Sequence, residues 1–158
     1  MSVTHFQTFI DAFALIEKQD RLLAGDFVIC PPSNDFGYQS TPKNALTFAT
    51  MGVDGVHYAV LTINGIVRDD SPVVQVSPMD SEDVFILAGS FLNYLADGCD
   101  VSTRKMQAVF KEERAGKHTL IAFLNEHFDR CGAESLLDDA RIDRLMAQYG
   151  HLIQRKNQ

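Results

Sequence analysis

The chain has little that would tie it together covalently and nothing that would carry it into a bilayer. Its 158 residues contain three cysteines, Cys30, Cys99 and Cys131. The set is odd and holds no closely spaced pair, which excludes a disulfide framework and suits reduced thiols in a cytoplasmic setting. Met1 to Gln7 show no basic stretch followed by an apolar one, so a secretory leader is not expected. No run approaches the roughly 18–20 apolar residues needed to span a bilayer. Internal repeats and low-complexity tracts are also missing. What is left is a length suited to a single domain over 1–158, able to bury roughly 68–70% of the surface its unfolded chain exposes.

Cations are scarce over most of the chain. Residues 1–102 hold 4 Lys and Arg against 13 Asp and Glu, residues 103–158 hold 10 against 8, and the net charge is −7. An acidic front two-thirds works against nucleic-acid binding, which draws on clustered Lys and Arg, and suits a basic protein partner. Solubility by itself also accounts for mild acidity in many domains. Between Asn44 and Asp100 a single cation, Arg68, stands against eight carboxylates. Five of them, Asp69, Asp70, Asp80, Glu82 and Asp83, fall in the loops around Val73 to Ser77, and the expectation is a partner-facing acidic rim at a sheet end. The pairs Asp69-Asp70 and Glu82-Asp83 lack the regular spacing of a calcium loop, so a solvated rim is the more economical reading.

The strongest structural signal lies between Asn44 and Ile63. Two runs rich in Val, Thr, Phe and Tyr flank Gly52-Val-Asp-Gly, and Asp54-Gly55 is suited to the positive φ angles of a type I′ hairpin turn. In the second run Val56, Tyr58 and Val60 face one way and Ala59, Leu61 and Ile63 the other. Neither face is polar, so this strand should be covered on both sides. Segments 46–51, 56–63 and 73–77 are predicted as sheet. Asn64-Gly65 offers a second hairpin turn, Val84 to Ala88 reads as a further strand, and Phe27 to Cys30 as a short one. Cys30 to Asn44, rich in Pro, Gly, Ser and Asn, reads as a long loop anchored by Phe36 and Tyr38.

Helices bracket these strands. Phe6, Phe9, Ile10 and Phe13 recur at helical spacing within Val3 to Lys18, with Thr4 as a cap, and Gly25 is a stop. Ser90 is suited to cap a helix ending near Gly98. From Ser102 onward three amphipathic stretches follow, the first up to Ala115-Gly116, then Thr119 to Cys131, then Ser135 to Leu152, with fraying expected after Gly150. Strands segregated from helices predict an α+β fold with an antiparallel or mixed sheet, an N-terminal helix and C-terminal helices around it. The core then spans about 1–100, with a helical extension over about 101–152.

Constellations that carry chemistry are incomplete. His127 and Cys131, four apart on a predicted helix, share a face and so have a metal-pair spacing. A structural zinc needs four ligands, and only an unindicated convergence with His118 and Cys99 would supply them. Asp54 and His57 have the makings of a dyad that orients a general base, with no Ser or Cys nucleophile in a recognisable setting beside them. Gly89-Ser90 lacks the flanking glycine of a nucleophile elbow, and Gly52-Val-Asp-Gly lacks the helix that follows a phosphate-cradling loop. No catalytic residue, metal or cofactor is therefore expected.

The run Pro42-Lys-Asn-Ala-Leu-Thr-Phe-Ala-Thr-Met-Gly-Val-Asp-Gly-Val-His-Tyr-Ala-Val-Leu, followed by Ser71-Pro-Val-Val-Gln-Val and Ala88-Gly-Ser-Phe-Leu-Asn-Tyr-Leu, resembles the SUKH superfamily over about residues 42–96. That group is related to yeast cell-wall assembly regulators. In it a Gly/Asp turn links two core strands, a strand opening with Pro-Val follows, and a Ser-Phe-x-x-Tyr/Phe-Leu helix packs on the sheet. The resemblance implies an α+β binding domain, many bacterial relatives being immunity proteins that neutralise toxins, and brings no catalytic residues with it. The functional expectation is a non-enzymatic, cytoplasmic, protein-binding domain of immunity type acting on a basic, nuclease-like toxin. The alternatives are a small enzyme using Asp54 and His57, and a regulatory scaffold.

Overall fold

The computed structural model describes residues 4–14, 28–34, 36–50, 54–96 and 138–156. Five strands, β1 (Val28–Ser33), β2 (Ala45–Thr50), β3 (His57–Leu61), β4 (Val73–Val76) and β5 (Val84–Ala88), form one sheet in the order β1-β2-β3-β4-β5. Every neighbouring pair is antiparallel, which decides between the antiparallel and mixed sheets that the sequence left open. Helix α1 (His5–Ala14) precedes the strands, and α2 (Phe91–Ala96) and α3 (Asp139–Tyr149) follow them, so the fold is α+β. The helices expected near 102–116 and 119–131 lie outside the described residues, as does the start of the stretch from Ser135.

Turn chemistry sets the meander. Asn64 and Gly65 have φ of 53° and 80°. Around them the Ile63 N–H donates to the Ile66 carbonyl at 2.8 Å, and the Ile66 N–H donates back at 3.2 Å, closing a two-residue hairpin. Asp54 and Gly55 reach φ of 54° and 73° in the turn between β2 and β3, as that dipeptide favours. The caps are those its hydroxyls offered: Thr4 Oγ1 accepts from the Gln7 N–H at 3.0 Å, and Ser90 Oγ from the Asn93 N–H at 3.1 Å.

All five residues of β3 are buried, because the sheet is covered on both faces. On one face Tyr58, Val60, Val73 and Leu87 pack with Phe48, with Phe6 and Phe9 of α1, and with Phe91 and Tyr94 of α2. The rings meet edge to face, Phe6 to Phe91 at 5.2 Å and Phe48 to Phe91 at 5.5 Å, a geometry worth about 0.5–1.5 kcal/mol per pair beyond the buried area. On the other face Ala59, Leu61, Val74, Val76, Val84 and Ile86 pack with Leu145 of α3, flanked by Met146, Tyr149, Leu152 and Ile153. The alternation expected along β3 is thus realised as two cores separated by one sheet.

Two expectations are corrected. Phe27 to Cys30 reads as a short strand followed by a loop, yet β1 runs through Pro31 and Pro32 to Ser33. The reason is position: β1 is an edge strand, and its pairing with β2 shifts register between Ile29 and Ser33, so the missing proline N–H groups break no central ladder. The second concerns the C-terminal tail, expected to fray after Gly150. Instead Gly150–Leu152 forms a 3-10 turn, and the chain to Lys156 lies along residues 38–44 as a strap. The Lys43 N–H donates to the Gln154 carbonyl at 2.7 Å, and the Asn44 amide donates to the Leu152 carbonyl at 2.9 Å. Partners supplied from distant sequence satisfy backbone groups that a polar tail by itself would leave to water.

Helix α3 also seals the outer edge of β5. Arg141 is buried and donates to the Leu87 carbonyl, while the Ile86 N–H donates to Met146 Sδ at 3.3 Å. An exposed edge would offer these groups to another chain, and here side chains of the same chain occupy them.

Candidate functional site

The register of the sheet decides which loops meet. His57 at the start of β3 pairs with Val76 at the end of β4, so the β2–β3 turn carrying Asp54 and the β4–β5 turn carrying Asp80, Glu82 and Asp83 occupy the same end. The β3–β4 connection, with Asp69 and Asp70, occupies the opposite end. The four residues of β4 between the two groups span three rises, about 10 Å, already the screening length at 0.1 M salt before the turns beyond each strand end are added. The five carboxylates expected to share one rim are therefore divided between two ends, and they do not act as a single charge cluster.

Their partners differ as well. Asp69 Oδ1 accepts from the His5 N–H at 2.9 Å at the start of α1, and its carboxylate lies 3.5 Å from the His5 ring. Asp70 pairs with Arg68 at 2.9 Å. Asp83 is half-buried and pairs with Arg155 of the strap at 3.0 Å. Asp80 and Glu82 are exposed in the β4–β5 turn, Asp54 is exposed in the β2–β3 turn, and among the described residues none of the three carboxylates has an ion-pair or hydrogen-bond partner. The turn itself is closed by the backbone, the Ser77 N–H donating to the Asp83 carbonyl at 2.7 Å and the Asp80 N–H to the Ser77 carbonyl at 3.0 Å. Three solvated carboxylates thus stand on two short turns anchored by paired strands.

Asp54 and His57 do not form the dyad that their spacing allowed. The His57 ring is fully buried, with Nδ1 2.7 Å from the Gly55 carbonyl and Nε2 2.9 Å from Thr41 Oγ1. A carbonyl only accepts, so Nδ1 carries the proton, and the Thr41 hydroxyl donates to Nε2. Both ring nitrogens are occupied without a carboxylate. Phe36 and Tyr38 stack on the ring, with centroids at 4.4 and 5.6 Å, which is how the long loop before β2 is anchored. Burial pushes the imidazole below its ordinary pKa; the bond to the Gly55 carbonyl works the other way, and the Lys156 charge adds to the lowering. Neutral His57 is a packing and hydrogen-bonding hub.

Beside it Tyr38, Gln39, Ser40, Pro78, Met79, Asp83, Arg155 and Lys156 line an open cleft of about 710 Å³. Lys156 Nζ donates to the Tyr38 carbonyl at 2.5 Å, and Tyr38 and Met79 expose apolar surface there, Met79 to 78%. The expected metal candidates His118, His127, Cys99 and Cys131 lie outside the described residues. Among the described residues no group of three or more His, Cys, Asp or Glu is placed to hold a metal ion. Cys30 is a free thiol whose pKa burial raises, which keeps it protonated. No helix among the described residues is long and apolar enough to cross a membrane.

Two residues carry more than their sequence position suggested. Asp54 belongs with Asp80 and Glu82, and only strand register brings them together. Arg141 is buried on α3 together with Leu145, and its four-residue spacing from Leu145 is the signal in the sequence that the two share a face. Comparison with known proteins returns no match, whether to a family model, a curated protein or a solved structure.

Proposed function

We propose that this chain is a non-enzymatic protein-binding domain that engages a basic partner through the sheet end bearing Asp54, Asp80 and Glu82. The observation that carries the reading is the presence of three exposed carboxylates, without partners among the described residues, on two register-matched turns next to the exposed Met79. Solvated charge of one sign speeds encounter with an opposite surface, while an adjacent apolar side chain supplies burial once docked. Asp69, Asp70 and Asp83 are held by His5, Arg68 and Arg155, and in this reading they support the fold more than the contact. The occupation of both His57 nitrogens weighs against the alternative enzyme built on Asp54 and His57.

The finer form of the reading is an immunity-type protein, acting in the cytoplasm, that neutralises a nuclease-like toxin, whose substrate cleft is basic for the same electrostatic reason. The test compares Asp54→Asn/Asp80→Asn/Glu82→Gln with Asp69→Asn/Asp70→Asn, both confirmed as folded by melting, for association with the basic product of a neighbouring gene. The first variant should slow association about tenfold at low salt and flatten its salt dependence, and the second should change it little. Equal effects of the two variants would move the interface elsewhere. A neighbouring basic protein that the wild type fails to bind would overturn the immunity reading.

A further inference from the structure

His57 joins three separate pieces of chain at the acidic end of the sheet. Its own strand supplies the ring, the β2–β3 turn supplies the acceptor at Gly55, and the loop before β2 supplies the Thr41 donor together with the Phe36 and Tyr38 rings. Tyr38 is tied onward to the C-terminal strap through its carbonyl and Lys156, and the strap is tied to the β4–β5 turn through Arg155 and Asp83. Asn44 and Lys43 fasten the end of the loop to the strap, and the imidazole fastens its middle, residues 36–41, which includes the Tyr38 wall of the cleft.

The network works only with neutral His57. Nε2 accepts from the Thr41 hydroxyl because Nδ1 already donates to a carbonyl. Once Nε2 is protonated it becomes a donor. The Thr41 hydroxyl must then turn to accept, so the bond it donates to the ring is lost in a site where Thr41 is 2% exposed. Among the described residues the charged and titratable groups on the surrounding elements are Tyr38 and Lys43 in the loop, Asp54 in the β2–β3 turn, Asp80, Glu82 and Asp83 after β4, and Arg155 and Lys156 in the strap; Asp80 and Glu82 are exposed to solvent. Asp83 is engaged by Arg155 and Asp54 is exposed, so no carboxylate among the described residues offsets a new charge on the ring, and Lys156 opposes it.

We infer that His57 is a pH-sensitive clasp: neutral, it holds residues 36–41 against the start of β3, and on proton uptake it loosens them and opens the Tyr38 wall of the cleft. A released loop leaves His57 in water, where it takes up a proton near pH 6.5, so the closed form is favoured fully above that pH and progressively less below it. The device stands whether or not the acidic end binds a partner, because it concerns the loop alone.

Amide hydrogen exchange at Thr41, whose N–H donates to the Tyr38 carbonyl at 3.1 Å, corrected for its intrinsic rate, tests this on the full chain. Protection should fall about tenfold or more between about pH 7.5 and pH 5, while Ala59 and Val60 in β3 keep theirs. His57→Gln, which does not titrate, should remove the pH dependence. Should that variant not fold, Thr41→Val provides the second arm: loop protection should already be low at pH 7.5 and change little with acid. Proton NMR of the His57 ring in the wild type should titrate with a midpoint below that of a free histidine. Loop protection that is indifferent to pH, an equal acid response in His57→Gln, joint loss of protection in loop and strands, or a ring midpoint at or above 6.5 would each overturn the clasp.

Discussion

Asn44 Oδ1 accepts a hydrogen bond from the Gln154 N–H at 3.0 Å, joining residues 110 apart in sequence and fastening the C-terminal strap to the entrance of β2. The same side chain donates its amide to the carbonyls of Thr62 at 3.0 Å and Leu152 at 2.9 Å. One asparagine thus uses both its acceptor and its donors to close a junction of three chain segments. The arrangement suits an amide and no other side chain of that size, since the carbonyls demand donors and the Gln154 N–H demands an acceptor.

Asn44→Ala should destabilise the protein by about 1–3 kcal/mol, the cost of leaving part-buried backbone groups without partners. Amide exchange at Gln154 should accelerate more than exchange in β3, because the strap loses its anchor while the sheet keeps its ladder. Asn44→Asp should be at least as damaging, since a carboxylate would face two carbonyls. Thermal melting and exchange of both variants check this, and an unchanged melting temperature would show that the junction contributes little.

Val60→Asp should prevent folding. Val60 is fully buried at the centre of the sheet among the apolar side chains of α1 and α2. The cost of burying an unpaired carboxylate, several kcal/mol, is comparable with the 5–15 kcal/mol that a whole domain has to lose. Circular dichroism should show loss of the cooperative transition; a melt within a degree of the wild type would be incompatible with the two-sided core.

Arg141→Met should preserve the packing of α3 on β5 while removing the donor to the Leu87 carbonyl. A loss of about 1–3 kcal/mol is expected from the unmet carbonyl, together with increased self-association of the variant, because one carbonyl at the β5 edge loses its partner within the chain. Chemical denaturation gives the first quantity and sedimentation the second. A variant as stable and as dispersed as the wild type would show the guanidinium to be dispensable.

Stability should carry a signature of His57. Its folded pKa is lowered, chiefly by burial, so the unfolded chain binds the proton first as pH falls. The stabilisation from neutral His57 is complete above about pH 6.5 and is lost between there and the lower folded value, by about 1.4 kcal/mol for each unit separating the two. The stability difference between wild type and His57→Gln, measured by denaturation from about pH 8 to pH 5, should shrink through that window. A difference independent of pH would mean that the ring titrates alike in both states.

Much of the architecture was written in local chemistry. Asn64-Gly65 and Asp54-Gly55 are turns because few other residues accept positive φ so readily, and Thr4 and Ser90 cap helices because their hydroxyls reach a free N–H. The unbroken apolar character of Tyr58 to Leu61 required cover on both faces, and two layers of helix provide it. These are interactions over a few residues, or patterns whose period does not depend on what lies opposite.

Residue chemistry and periodicity were thus enough for the α+β class, the central strands, their turns and the two-sided core. The tertiary structure alone decided which end of the sheet each acidic loop occupies, and so grouped Asp54 with Asp80 and Glu82 while separating Asp69 and Asp70 from them. It likewise decided that Pro31 and Pro32 stand in an edge strand, that Arg141 is buried, that His57 bonds to Thr41 and Gly55 instead of Asp54, and that the polar tail is held down by Asn44. The physical reason is the same in each case: hydrogen bonds and charge pairs depend on which atoms the sheet register brings within about 3 Å, and neither propensity nor periodicity carries that distance.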